Sequence, residues 1–121
     1  MNSLVSRTLL CCAFLACWGL QHGRAQSTAP QRVALRVANL TSEERDGLSN
    51  DLQKRGDLRI SFACVPAGIL ILESLNPERP ADSLRAMALS ALITRLPAQR
   101  RTEVALSLSE AEDLCAAARN H

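Results

Sequence analysis

Aromatic side chains are nearly missing from this sequence, which contains no tyrosine, one tryptophan and two phenylalanines. Trp18 and Phe14 fall in the N-terminal segment 1–25, so Phe62 is the single aromatic residue beyond it. Proteins that bind single-stranded nucleic acid stack bases on aromatic rings and add a basic surface. Acidic and basic residues balance after residue 25, so we predict that the protein does not bind nucleic acid.

Histidine is almost as scarce, because His121, the last residue, is the single histidine after residue 25. A Ser-His-Asp or Cys-His mechanism needs an imidazole that is held in place, and chain ends are usually frayed. The sequence also lacks a glycine-rich phosphate-binding loop. We therefore predict no catalytic residues, no enzymatic activity and no cofactor, and an exported hydrolase is the disfavoured alternative.

Carboxylates form two clusters that could bind calcium or act as acid and base. The clusters are Glu43, Glu44 and Asp46, and then Glu110, Glu112 and Asp113. Both open predicted helices, where the helix macrodipole stabilises acidic side chains. We interpret them as helix starts, expect no metal site, and interpret the arginines, including the adjacent pair Arg100-Arg101, as solvated surface.

Residues 1–25 have the pattern of a cleavable signal peptide. Arg7 precedes an apolar run over 8–20, and the small-residue site Gly23-Arg24-Ala25 follows it. A basic segment, an apolar run and a small-x-small site are typical of secretory signals, and the run is shorter than the ~20 residues that span a bilayer. We predict an exported protein, periplasmic or secreted, without a membrane span. A buried N-terminal helix of a cytosolic protein is one alternative, and a lipoprotein anchored at Cys17 is another.

Cysteine usage agrees with export. Three of the five cysteines lie within the predicted signal peptide, which leaves Cys64 and Cys115. Two cysteines in an oxidising compartment allow one intramolecular bridge. We predict a disulfide between them, and two buried free thiols are the alternative.

Beyond residue 25, we predict a disordered lead-in over 26–31 and a single domain over 32–121. Apolar patterns indicate strands over 32–38, 58–64, 69–72 and 103–106. In the second strand, alternation places Leu58, Ile60, Phe62 and Cys64 on one inward face. The turn at 65–68 has proline and glycine where a type I turn favours them.

Three helices are predicted between and after these strands. Capping boxes at Thr41 and Ser107 begin the first and the third, and Gly56 ends the first. Asp82 is expected to cap the second, which runs to Leu96 before a proline. The first six elements have the ferredoxin-like βαββαβ order, so the predicted fold is an α+β sandwich with an extra C-terminal helix.

The second predicted helix is apolar on two sides. One stripe contains Leu84, Ala88 and Leu92, and a separate stripe contains Leu89 and Ile93. A helix that is apolar most of the way round is either buried on more than one side or presents a patch to a partner. We predict that Leu89 and Ile93 form a surface for a protein partner or a second copy. Burial beneath the third helix or the preceding loop is the alternative.

The segment 37–45 resembles the metal-binding loop of heavy-metal-associated domains, whose pattern is Gly-Met-Thr-Cys-x-x-Cys after a first strand. The residues at these five fixed positions are Asn39, Leu40, Thr41, Ser42 and Arg45. The resemblance covers about residues 33–106 and implies a ferredoxin-like fold. It does not carry a metal site across, because soft metals such as copper(I) need thiolate or thioether ligands, which Ser42 and Arg45 do not supply.

Together these patterns predict a small exported domain that binds a partner or serves structurally, without catalysis. A metal-handling protein with a site other than that of the family is an alternative, and a membrane-tethered lipoprotein is a variant of location.

Overall fold

The computed structural model of the protein describes residues 31–121. The strands are β1 (Arg32–Val37), β2 (Leu58–Cys64), β3 (Ile69–Ser74) and β4 (Arg101–Val104). The helices are α1 (Ser42–Arg55), α2 (Ala81–Leu92) and α3 (Leu108–Arg119), with a 3-10 turn at Ala98–Arg100 before β4. The protein is therefore α+β, as predicted. The predicted signal peptide, the alternative anchor Cys17 and lead-in residues 26–30 lie outside the described residues.

The strands form one antiparallel sheet in the order β2-β3-β1-β4. Leu70 of β3 lies opposite Leu35 of β1 on one side and Ala63 of β2 on the other. Residues 69–72 are buried, as predicted for a strand that is apolar on both faces, and β3 runs two residues beyond the prediction to include the buried polar residues Glu73 and Ser74. β4 lies earlier in the chain than the predicted 103–106, because its register with β1 places Arg101 opposite Val37.

α1 and α2 cover one face of the sheet. The capping box predicted at Thr41 holds the start of α1, and Gly56, with a φ of 74°, ends the helix in the left-handed conformation. Both helices bury leucines against the sheet, and a fully buried leucine contributes about 1.5–3 kcal/mol. The leucines buried on this side are Leu35, Leu40, Leu48, Leu52, Leu58, Leu70, Leu72, Leu84, Leu92 and Leu96.

α3 covers the opposite face, so the sheet lies between two helical layers. The capping box predicted at Ser107 begins the helix. Its buried residues Ala111 and Cys115 pack with Ile69 and Ile71 of β3. α3 therefore lies on the other side of the sheet from α1 and α2.

A β-bulge at Ser61 changes the face that the second half of β2 serves. The pairing register shifts between Ile60 and Phe62, and the Ser61 hydroxyl donates to a β3 carbonyl at 3.3 Å. Leu58 and Ile60 consequently pack on the side of α1 and α2, whereas Phe62 and Cys64 pack on the side of α3. The prediction of one inward face for all four side chains is wrong, because one extra residue reverses the alternation of a strand.

The bounds of α2 also differ from the expectation. The helix begins at Ala81 without a side-chain cap, so Asp82 is not its N-cap. It ends at Leu92, because the amides of Arg95 and Leu96 both donate to the Leu92 carbonyl and tighten the chain into a turn. This turn buries Leu96 completely. Within the part of the chain that the structure describes, no helix is both long and apolar enough to cross a membrane.

Candidate functional site

One end of the sheet carries an open cleft of about 580 Å³, here named the sheet-end cleft. It is lined by residues 36–40 at the end of β1, by the β2–β3 turn at 65–68, and by Gln99, Arg100, Thr102 and Val104. These segments meet because β1 is a central strand with β3 and β4 on either side of it. The lining contains two arginines and no acidic residue.

The β2–β3 turn is packed directly against the end of β1. The Gly68 amide donates to the Val65 carbonyl at 3.1 Å, and the Val37 amide donates to the Gly68 carbonyl at 2.7 Å. Gly68 has a φ of 64°, and a Cβ at this position would collide with the Val37 carbonyl oxygen. Glycine alone combines this φ with such a close approach, so Gly68 fixes one wall of the cleft.

Arg100 forms a second fixed wall. Its Nη1 donates to Glu44 Oε1 at 2.6 Å, and its Nη2 donates to the carbonyls of Ala38 and Asn39 at 3.0 and 2.9 Å. The hydrogen bond from Arg100, followed by the Thr41 amide, lowers the pKa of Glu44 to about 2. The interpretation of Arg100 as solvated surface is therefore wrong, since it links the start of β4 to the β1–α1 loop.

Arg36 is the other cation of the cleft, and it has no ion pair with any residue in the described range 31–121. It is exposed and lies opposite Thr102 of β4. Toward the other end of the sheet, Glu73 of β3 lies between Arg32 of β1 and Arg59 of β2, with nitrogen–oxygen distances of 3.4 and 2.9 Å. The sheet therefore pairs two of its arginines with one carboxylate and leaves the guanidinium of Arg36, at the cleft, without such a partner among the residues described.

Asn39 shapes the β1–α1 loop, which lines part of the sheet-end cleft. Its φ of 54° is left-handed, a conformation that asparagine tolerates better than most residues. The turn leads β1 into the capping box of α1 at Thr41. In the heavy-metal-associated pattern this position is a glycine, which adopts the same φ readily.

Cys64 and Cys115 form the predicted disulfide, with their Cα atoms 5.9 Å apart. The bond joins the last residue of β2 to α3, and both residues are buried. Cys64 directly precedes the turn at 65–68 that lines the sheet-end cleft. The disulfide therefore fixes both α3 and one wall of the cleft.

The two residues of the predicted partner surface have different environments. The Ile93 side chain is 62% exposed, whereas Leu89 packs partly against the core. The Leu89 carbonyl accepts a hydrogen bond from Arg101 Nη1 at 2.8 Å, so Arg101 is not purely solvated either. α3 lies on the opposite face of the sheet, so this helix does not cover that side of α2. The partner surface itself stays a prediction, and Ile93 now carries it.

The other side chains that could act in catalysis or bind a metal do not gather into a site. Glu43, Glu44 and Glu110 lie in the first turns of their helices, as predicted. His121 follows α3 and is exposed. Arg45, at a cysteine position of the heavy-metal-associated pattern, pairs with its neighbour Asp46 at 2.8 Å. Over residues 31–121, no group of three or more histidine, cysteine or acidic residues is placed to hold a metal ion.

Comparisons of the chain with protein-family models, curated proteins and solved structures found no match. The chemistry of the cleft must therefore be inferred from its own residues. It offers the guanidinium of Arg36, the amide of Gln99 and the hydroxyl of Thr102 beside an apolar rim at 65–67. Sequence reasoning missed this site, because its lining comes from separated segments that carry no common motif.

Proposed function

We propose that this protein is an exported, non-enzymatic binding domain with a ferredoxin-like fold and one structural disulfide. The strand order β2-β3-β1-β4, with helices after β1 and after β3, supports the fold, because split βαβ domains connect their strands in this way. The likeness of segment 37–45 to heavy-metal-associated domains supports the same fold without that family's metal site.

Export is supported above all by the disulfide between Cys64 and Cys115. Disulfides persist in oxidising compartments and are rare in the cytosol, where thiols are kept reduced. Both sulfur-bearing residues are buried between β2 and α3, so the bond belongs to the packed interior of the domain. The signal-like segment 1–25 supplies the route to such a compartment.

A binding role is supported by the sheet-end cleft. Its walls are held by Gly68 and by the contacts of Arg100, and a preorganised wall loses little conformational entropy when a ligand binds. The lining provides hydrogen-bonding groups and an apolar rim, but no histidine, cysteine or carboxylate. Such a set favours recognition over catalysis, because acid–base and nucleophilic mechanisms depend mainly on those side chains.

Self-association through α2 is a second candidate, and the observation that favours it is the 62% exposure of Ile93. Among residues 31–121, the exposed large apolar residues are Leu75, Ile93 and Leu114, and Ile93 is the most exposed of the three. The two functions are compatible, since α2 lies in the helical layer and the cleft lies at an end of the sheet.

Export is tested by expressing the whole chain in a host whose exported proteins enter an oxidising compartment, and then fractionating the cells. We expect processed protein in the exported fraction, beginning near Gln26. Leu10→Arg places a charge in the apolar run and should retain the protein in the cytoplasm, whereas Ser3→Arg adds the same charge outside the run and should be exported. Unprocessed, reduced protein in the cytosol would overturn the proposal, and an acylated Cys17 would establish the lipoprotein instead.

A further inference from the structure

We infer that the sheet-end cleft binds a carboxylate of a partner polypeptide through Arg36, an inference that rests on the proposed binding function. The cleft carries one uncompensated positive charge, because Arg100 is paired with Glu44 while Arg36 has no ion pair within residues 31–121 and the lining includes no acidic side chain. An anionic group is therefore the complementary ligand. A carboxylate is the anion that a polypeptide supplies, at its C-terminus or on an acidic side chain.

The two arginines of the cleft have different roles. The guanidinium of Arg100 is occupied by Glu44 and by the carbonyls of the β1–α1 loop. Arg36 has no carboxylate partner within the described range and is exposed. A guanidinium presents parallel N–H donors whose spacing matches the two oxygens of a carboxylate. Arg36 is thus the group available to the ligand, while Arg100 holds the wall.

The neighbours of Arg36 favour a carboxylate that lies beside an apolar residue. Thr102 lies directly opposite Arg36 on β4, and its hydroxyl can donate to a second carboxylate oxygen. Across the cleft, Val65, Pro66 and Ala67 provide an apolar rim. The ligand that fits these groups is a peptide with an apolar side chain adjacent to its carboxylate.

The same sheet already contains this mode of recognition. The carboxylate of Glu73, which is almost fully buried, lies between the guanidinium groups of Arg32 and Arg59. Arg32 and Arg36 are four residues apart on β1. Because side chains of a strand alternate between its two faces, both arginines point to the α3 side. A carboxylate bound at Arg36 would repeat this pairing at the end of the sheet that Glu73 does not reach.

The test is a titration of N-terminally labelled tripeptides against the oxidised protein, purified after expression of the full chain. Ala-Ala-Leu with a free C-terminus is compared with its C-terminal amide and with an amidated Ala-Glu-Leu, by fluorescence anisotropy. We expect the free acid or the glutamate peptide to bind about tenfold more tightly than the uncharged amide, because one charge-assisted hydrogen bond contributes roughly that factor. The better of the two carboxylate peptides identifies the source.

Arg36→Gln should weaken binding of the carboxylate peptide about tenfold, and Arg36→Lys should fall between, because lysine keeps the charge without the planar fork. Lys54→Gln is the matched control: it removes one positive charge in the last turn of α1, and we expect wild-type affinity. Thr102→Val gives a second, independent variant with an expected loss of severalfold. Melting curves establish that each variant is folded.

Three results would overturn the inference. These are equal binding of the acid and amide peptides, unchanged affinity of folded Arg36→Gln, or no binding of any of the peptides at millimolar concentration. Peptide binding by protein that is found in the cytosol would leave the cleft's role standing while removing export, so the two proposals fail separately.

Discussion

The sulfur atoms of Cys64 and Cys115 are bonded across the face of the sheet opposite α1 and α2. The bond is a principal attachment of α3, because Ala111 and Cys115 are the buried residues of that helix, and Leu114 is 38% exposed. α3 therefore contributes little apolar area for its length. We expect the covalent link to hold this layer in place.

Removal of the disulfide should destabilise the domain and loosen α3 first. For a sequence separation of 51, the chain-entropy treatment gives about 4 kcal/mol as an upper value for the free energy of unfolding lost in Cys115→Ser. Urea unfolding of oxidised wild type, reduced wild type and Cys115→Ser measures this loss. A glutamate-specific protease should also cleave the variant after Glu110 or Glu112 before it cleaves α1. Equal urea midpoints for the three samples, together with equal protection of α3 from the protease, would contradict the role of the bond.

The ion pair between Glu44 and Arg100 should make stability depend on acid pH. The pKa of Glu44 is about 2 in the folded protein, below its ordinary 4.5, so its stabilisation is present above about pH 5 and is lost as the pH falls toward 2. Glu44→Gln can retain the capping hydrogen bond while removing the charge. We expect it to cost about 1 kcal/mol at pH 7, because partial exposure screens the pair, and to flatten the pH dependence of urea midpoints below pH 5.

Glu110→Gln is the matched control for that experiment. Glu110 occupies the same position of the α3 capping box, bonded to Ser107, and it lacks an arginine partner among the described ion pairs. Its pKa is lowered by the Ser107 amide, so a smaller change of the same sign is expected. If Glu44→Gln and Glu110→Gln gave the same acid-unfolding curve, the contribution of Arg100 would be refuted.

Gly68 and Gly56 provide a paired test of the wall of the cleft. Both have a left-handed φ, but a Cβ at Gly56 would meet open space, whereas one at Gly68 would meet the Val37 carbonyl. Gly56→Ala should cost about 1–2 kcal/mol for the conformation alone. Gly68→Ala should lower the free energy of unfolding by about 1–3 kcal/mol more than Gly56→Ala, because the backbone must move to relieve the collision. Equal losses in chemical denaturation would contradict the close packing of the turn on β1.

Ile93→Ser tests the predicted partner surface on α2. Because Ile93 is 62% exposed, we expect the free energy of unfolding to change by less than about 0.5 kcal/mol. Sedimentation velocity over a range of concentrations should show a dimer for wild type and a monomer for the variant. Leu75→Ser is the control, since Leu75 is also exposed, at 50%, but lies after β3. A dimer that survives Ile93→Ser would exclude this surface, and Leu89 is left unchanged because it contributes to the core.

The features that the sequence predicts correctly either have local causes or follow from counting residues. The capping boxes at Thr41 and Ser107 and the left-handed end of α1 at Gly56 depend on residues a few positions apart. The disulfide was predictable by elimination, because Cys64 and Cys115 are the cysteines left after the signal-like segment. These features therefore need no knowledge of the rest of the fold.

The features that it misses depend on contacts between distant segments. An alternating strand pattern does not reveal the bulge at Ser61, which is defined by the register with β3. α2 ends at Leu92, where the turn that buries Leu96 begins, and helical propensity alone does not predict that turn. The role of Arg100 depends on Glu44, 56 positions away in the chain. The sheet-end cleft combines three such segments, so only the assembled sheet defines it.

Native mass spectrometry of the protein recovered from the exported fraction tests the central claim most directly, because a single spectrum reports the N-terminus, the oxidation state of the cysteines, and any bound lipid or metal. We predict a chain that begins near Gln26 and is lighter than its reduced form by two hydrogen atoms, without metal and without lipid at Cys17. Cys64 and Cys115 as free thiols in that fraction, or a chain that retains residues 1–25, would contradict the account of an exported, disulfide-stapled binding domain.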